Sequence, residues 1–154
     1  MTRRACGLLA LAVIVVTASI AVGYRLSAGD DGGKIDSTNP SLVNAGRTIY
    51  EQHCAACHGQ ELEGQPHWRT RLPTGRLPAP PHDASGHTWH HPASVLFSIT
   101  KKGVEAHTPP GYESDMPSFS GVLSDSDIWA VLSYIKSTWP VEVQKKHTLM
   151  DRSK

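Results

Sequence analysis

Thiols, aromatics and methionines are all scarce in this chain of 154 residues, and each shortage narrows what it can be. Of the three cysteines, Cys6 lies in an apolar head, and no second pair accompanies Cys54 and Cys57. A structural zinc site, which needs about four ligands, is therefore not supported. Aromatic residues make up only 6% of the chain while Gly (13) and Pro (11) are plentiful, so much loop and a modest protein core are expected. There is no internal repeat. The length allows one domain plus a targeting segment, and not two ordinary domains.

The N-terminal stretch differs from everything after it. Arg3 and Arg4 form a basic head, and Ala5 to Gly23 then runs without a charge. This is the layout of a secretory signal, and the run is also close to the length that spans a bilayer as a helix. Residues 1–26 are thus expected to be a signal peptide, cut near Ala21-Val22-Gly23, or an uncleaved membrane anchor. The anchor is favoured, with Tyr24 and Arg25 at the outer interface. Both alternatives put the domain on the periplasmic side of the cytoplasmic membrane, because the basic head stays inside. Without residues 1–26, Lys and Arg fall from 15 to 12 against 14 Asp and Glu, a formal charge of −2. Nucleic acid is not an expected partner for such a surface.

Residues 27–40, rich in Gly, Asp and Ser, are expected to form a flexible linker to a domain over 41–154, with its core at about 41–139. Asn39-Pro40 suits an N-cap followed by proline at the first helical position. Leu42, Val43, Gly46, Ile49 and Tyr50 then recur at helical spacing. Six prolines between Pro66 and Pro92 exclude a helix or central strand there. Long loops of this kind usually wrap or cover something. Val95, Leu96 and Ile99 mark a second helix that ends at Gly103. Ser124, followed by Asp125 and Asp127, opens a third, which carries Ile128, Leu132 and Ile135 and stops at Pro140. The tail from Val141 is polar and carries no strong signal. The fold class expected is all-α.

Cys54-Ala55-Ala56-Cys57-His58 carries the chemistry. A thioredoxin-like redox pair needs a preceding strand, whereas this motif follows a helix. The spacing suits covalent haem c: each thiol forms a thioether to a vinyl group, and His58 becomes an axial iron ligand. The second axial ligand is expected to be Met116, because Met1 is the initiator and Met150 lies in the polar tail. Met116 sits in a proline-framed loop, and a soft thioether suits ferrous iron and raises the potential. None of His82, His87, His90, His91 and His107 has context of comparable weight for that position. Those of them between 82 and 91, with His67 and Asp83, define an alternative second-metal site such as copper. Trp68 and Trp89 are expected to cover haem or pack the loop.

The chain resembles the class I c-type cytochromes, mono-haem electron carriers. The resemblance covers about residues 41–139 and rests on Cys54 to Gly59, Met116-Pro117-Ser118-Phe119, and Leu123 to Ile135. It implies that the first and last helices cross near Gly46 and Tyr50, packed by Tyr134. It also implies that a proline carbonyl accepts the His58 imidazole N–H. Of the several prolines that compete for this role, Pro80 is the candidate. The resemblance further implies outer-sphere electron transfer rather than enzymatic catalysis, with a redox donor and acceptor docking transiently at the haem edge. The rivals are a catalytic or gas- or peroxide-sensing haem with a labile methionine, and a fixed redox subunit of a larger complex.

Overall fold

The computed structural model describes residues 33–152. The expected signal or anchor over 1–26 lies outside them. Among the described residues no helix is long and apolar enough to cross a membrane.

Five α-helices and two short 3-10 turns make up the described residues, with no named strand among them. Helix α1 (Pro40–His53) starts where expected: the Asn39 side chain accepts from the backbone N–H groups of Ser41 and Leu42, and Pro40 holds the first position. Helix α2 (Ala55–His58) is one turn carrying the end of the Cys motif. Helix α3 (Ala93–Lys102) ends at Gly103, which has φ 86°. Helix α4 (Asp125–Ser137) opens with a reciprocal cap, in which Ser124 Oγ accepts from the Asp127 N–H and the Asp127 carboxylate from that of Ser124.

The main interhelical contact is α1 against α4. At the crossing, a Cβ on Gly46 would land on the Ala130 carbonyl and lie 3.0 Å from Tyr134 Cβ. The two backbones meet there because glycine has no side chain. Four residues on, Tyr50 is fully buried, its ring 5.5 Å from that of Tyr134. Its hydroxyl donates to the Gly59 carbonyl at 2.9 Å, tying α1 to the residue after His58. Two apolar clusters grow from the crossing, one around Tyr50, Val131, Ile135 and Trp139, the other around Leu96, Phe119, Ile128 and Leu132.

The tail is not featureless: Val141–Arg152 forms a further helix, α5. Its inner face carries Val143 against the Tyr50 cluster and the fully buried His147. Nε2 of His147 donates to the His91 carbonyl at 3.1 Å. Its Nδ1 lies 3.3 Å from the Asp151 carboxylate without hydrogen-bond geometry. Asp151 in turn accepts the first N–H of α3, from Ala93, at 2.7 Å. The Val143–His147–Asp151 spacing of four was the helical signal present in a stretch whose polarity hid it. Residues at the end of the expected linker are also held: Asp36 N–H donates to Ser133 Oγ, Ser37 Oγ to Gln144, and Ile35 packs on the second cluster. Two further departures are the 3-10 turns Thr88–His90 and Val104–His107, inside stretches expected to be plain loop.

Two stability effects follow. Gly46→Ala forces the helices apart and should lower the unfolding free energy by about 3 kcal/mol, the upper part of the usual overpacking range. His147→Ala opens a hole under α5 and frees the His91 carbonyl, and should cost about 3 kcal/mol. Denaturant titration checks both, and equal midpoints for wild type and variants would contradict them.

Candidate haem site

Cys54 joins α1 to α2, with its N–H donating to the Tyr50 carbonyl at 2.9 Å. Cys54 is half-buried and Cys57 exposed, and both are free thiols. Burial, reinforced by the neighbouring Cys57, pushes the Cys54 thiol up to about 11. A reactive redox cysteine needs the opposite shift, so Cys54 is poorly suited to be the attacking thiol of an exchange reaction.

His58 closes α2 and is buried. Its Nδ1 donates to the Pro80 carbonyl at 2.8 Å, so Pro80 holds the role the resemblance implied for it. With the proton on Nδ1, Nε2 keeps its lone pair. Burial holds the ring below its ordinary pKa, against the smaller opposing effect of the Pro80 bond. A neutral, oriented imidazole of this kind has the form that a metal ligand requires.

Pro80 is brought to His58 by a local device. Gly64 has φ 71°, and a Cβ there would run into the Pro80–Pro81 backbone. Gln65 N–H donates to the Ala79 carbonyl and the Gln65 side chain accepts from Ala79 N–H, both at 2.9 Å. The intervening loop returns across the Met116 segment, where Arg76 pairs with Glu113 and Asp115.

Met116 is half-buried and packs on the cluster of Leu96, Phe119 and Leu132. Its loop is pinned to the end of α3, whose last carbonyls would otherwise lack partners. Phe119 N–H donates to the Thr100 carbonyl at 3.2 Å, and Ser120 N–H and Ser118 Oγ to that of Lys101 at 2.9 and 2.7 Å.

Two cavities, of about 290 and 700 Å³, share Cys54, His58, Pro80, His87, Val104 and Met116 in their walls and form one cleft. The inner part is lined by Leu96, Ile99, Val131, Leu132 and Ile135. Cys57, Trp68, Leu72 and Phe119 line the outer part. All four expected site residues, Cys54, Cys57, His58 and Met116, therefore meet at one apolar cleft. Its free thiols, neutral imidazole and thioether fit a covalently held haem. A separate depression of about 590 Å³, between Arg71 and Glu113, contains none of them.

The histidines of the long loop are not gathered as a second-metal site requires. Among the described residues no group of three or more His, Cys, Asp or Glu side chains is placed to hold a metal ion. Aromatic packing engages them: His87 stacks on Trp68 and meets His91 edge-on, and His90 stacks on Trp89 with ring centroids 3.7 Å apart. His107 bonds to Ser98 instead, at 3.0 Å. Trp68 lines the outer cleft, whereas Trp89 packs on the Tyr50 cluster and donates to the Ala84 carbonyl. His82, His87, His91 and His107 all line the inner cleft, and of these it is His82 that burial holds well below its ordinary pKa. Composition could not have separated it from its neighbours; its place directly after Pro80-Pro81 was the usable signal.

The chain belongs to the cytochrome c family, whose model, described as Cytochrome c, matches residues 43–139. Membership implies covalently bound haem c and haem-based electron transfer, as is typical of electron carriers. Comparison with curated proteins gave no match, and neither did comparison with solved structures.

The geometry predicts that Cys54→Ser and Cys57→Ser single variants each retain haem through one thioether. The double variant should lose it on denaturing electrophoresis with haem staining. Haem retained by the double variant would exclude thioether attachment at this motif.

Proposed function

We propose that the protein carries electrons through a single haem c ligated by His58 and Met116, on the outer side of the cytoplasmic membrane. The observation that carries this reading is the His58–Pro80 bond, which leaves Nε2 available in a cleft whose wall also includes Met116. Bound haem supplies a one-electron couple at its iron. The chain does the rest. Cys54 and Cys57 tether, His58 is held neutral and oriented, and Met116 is held by a loop anchored on α3. The inner apolar wall excludes water, and the α1–α4 crossing keeps the His and Met segments in register. Rigid support on both sides limits rearrangement between oxidation states, and no general base or nucleophile is needed.

The outer cleft, where Cys57 and Leu72 are exposed, suits a small transient interface with a redox donor and acceptor. The basic head and uncharged run of residues 1–26 support attachment to the membrane or export through it. The protein serves either as a carrier in its own right or as the redox subunit of a larger assembly.

Met116→Ala tests the ligation. The ferric wild type should show the weak long-wavelength absorption band of methionine-bound haem iron. The variant should lose that band, fall in potential and gain carbon monoxide binding. Retention of the band would remove Met116 as ligand, and tight carbon monoxide binding by the wild type would favour a sensing or catalytic haem.

A further inference from the structure

His82 stands apart from the other loop histidines because everything about it is fixed. Its backbone N–H donates to the Leu62 carbonyl at 2.8 Å, and its own carbonyl accepts the Trp139 indole N–H at 2.8 Å. The Leu62 end is itself held in an uncommon backbone conformation, φ 64°, in a buried residue. Nδ1 of His82 lies 2.8 Å from Thr88 Oγ1, and the Thr88 hydroxyl points at the Pro81 carbonyl, 3.5 Å away. With that hydroxyl donating to Pro81, His82 Nδ1 carries its proton and donates to Thr88. One ring edge meets Tyr50 at a centroid distance of 6.3 Å. The other contact is the notable one: the His82 ring stacks on His58, centroids 3.9 Å apart and planes 23° from parallel.

The Pro80 carbonyl holds the Nδ1 edge of the His58 ring and leaves its two faces unsupported. A flat partner over one face limits the tilt that remains. We propose that His82 is a positioning residue that sets the plane of the His58 imidazole, and through that plane and its own polarity tunes the haem potential. The proposal rests on His58 being an axial ligand, as proposed above. A polar, polarisable ring against the ligand stabilises the more highly charged ferric state. An apolar replacement should shift the couple toward reduction, as lower polarity around a haem does. The segment does this with unusual connectivity: Pro80 orients the ligand through its carbonyl, and His82, two residues on, through its face.

The test uses the full haem-containing protein and three variants. His82→Leu removes ring and dipole, His82→Phe keeps a flat ring without the dipole, and Thr88→Val keeps the His82 ring and removes the hydroxyl that bonds Nδ1 and the Pro81 carbonyl. The readouts are the spread of the haem methyl NMR shifts in the ferric protein, which follows the orientation of the axial ligand plane, and the potential from redox titration. His82→Leu should change the methyl pattern and raise the potential. His82→Phe should keep the pattern and raise the potential. Thr88→Val should change the pattern in the same sense as His82→Leu, to a smaller extent.

An unchanged pattern and potential in His82→Leu would overturn the proposal. Should that variant fail to take up haem, Thr88→Val decides alone, an unchanged methyl pattern again overturning it. His58→Ala separates the two levels. If that variant retains the wild-type low-spin spectrum, His58 is not a ligand and the functional reading fails. If it does not, and the His82 and Thr88 variants are silent, only the positioning role fails.

Discussion

The approach of Gly46 to the Ala130 carbonyl is the constraint on which the rest depends. It brings α1 and α4 into backbone contact and so fixes, at one stroke, where the end of α1 lies. The end of α1 is Cys54, and the Tyr50 hydroxyl clamps the turn beyond it at Gly59. The Cys motif is thus held on the α1 side, while α4 supplies Val131, Leu132 and Ile135 to the cleft's inner wall. Widening that crossing would separate the tether from the wall. The apolar contacts that follow are non-directional and individually modest, and reinforce an alignment that one missing side chain permits.

The two candidate ligands are supported by different chemistry. His58 depends on a carbonyl delivered by a distant loop segment, itself placed by the close approach of Gly64. Met116 depends on the end of a helix, because its loop donates to carbonyls that α3 leaves over. In both cases the side chain is positioned by backbone groups, whose geometry varies little with surrounding side chains. Arg76 links the two arrangements across the surface through exposed ion pairs, which contribute little to stability on their own.

Much of this was legible from local patterns. Asn39-Pro40 and Ser124 with Asp127 are caps that act within one helical turn, and Gly46 and Tyr50 lie one turn apart. Cys54, Cys57 and His58 are adjacent, and Met116 is isolated by elimination and by its prolines. What local pattern could not supply lies in contacts across long sequence separations. The loop histidines are alike in composition, and only the Trp68 and Trp89 stacks, the Thr88 bond and the contact with His58 set His82 apart from the rest. Helix α5 was obscured because its buried face is narrow and includes a histidine, which polarity assigns to the surface. Pro80 stood among several prolines as a candidate suggested by family resemblance, and its carbonyl contact could be established only in three dimensions.

Helix α5 has a consequence for the order in which the molecule is completed. The segment that follows Pro80 is held by bonds to residues 139–151: Trp139 to the His82 carbonyl, His147 to the His91 carbonyl, and Ala93 to Asp151. Their sequence separations are 57, 56 and 58 residues. Contacts this distant form late, since the loop they close must first be ordered. They also involve residues synthesised after the Cys motif. The thiols and His58 are therefore made before α5, whose bonds, with that of Trp139, hold in place the 82–93 segment that supplies His82, His87 and His91 to the inner cleft.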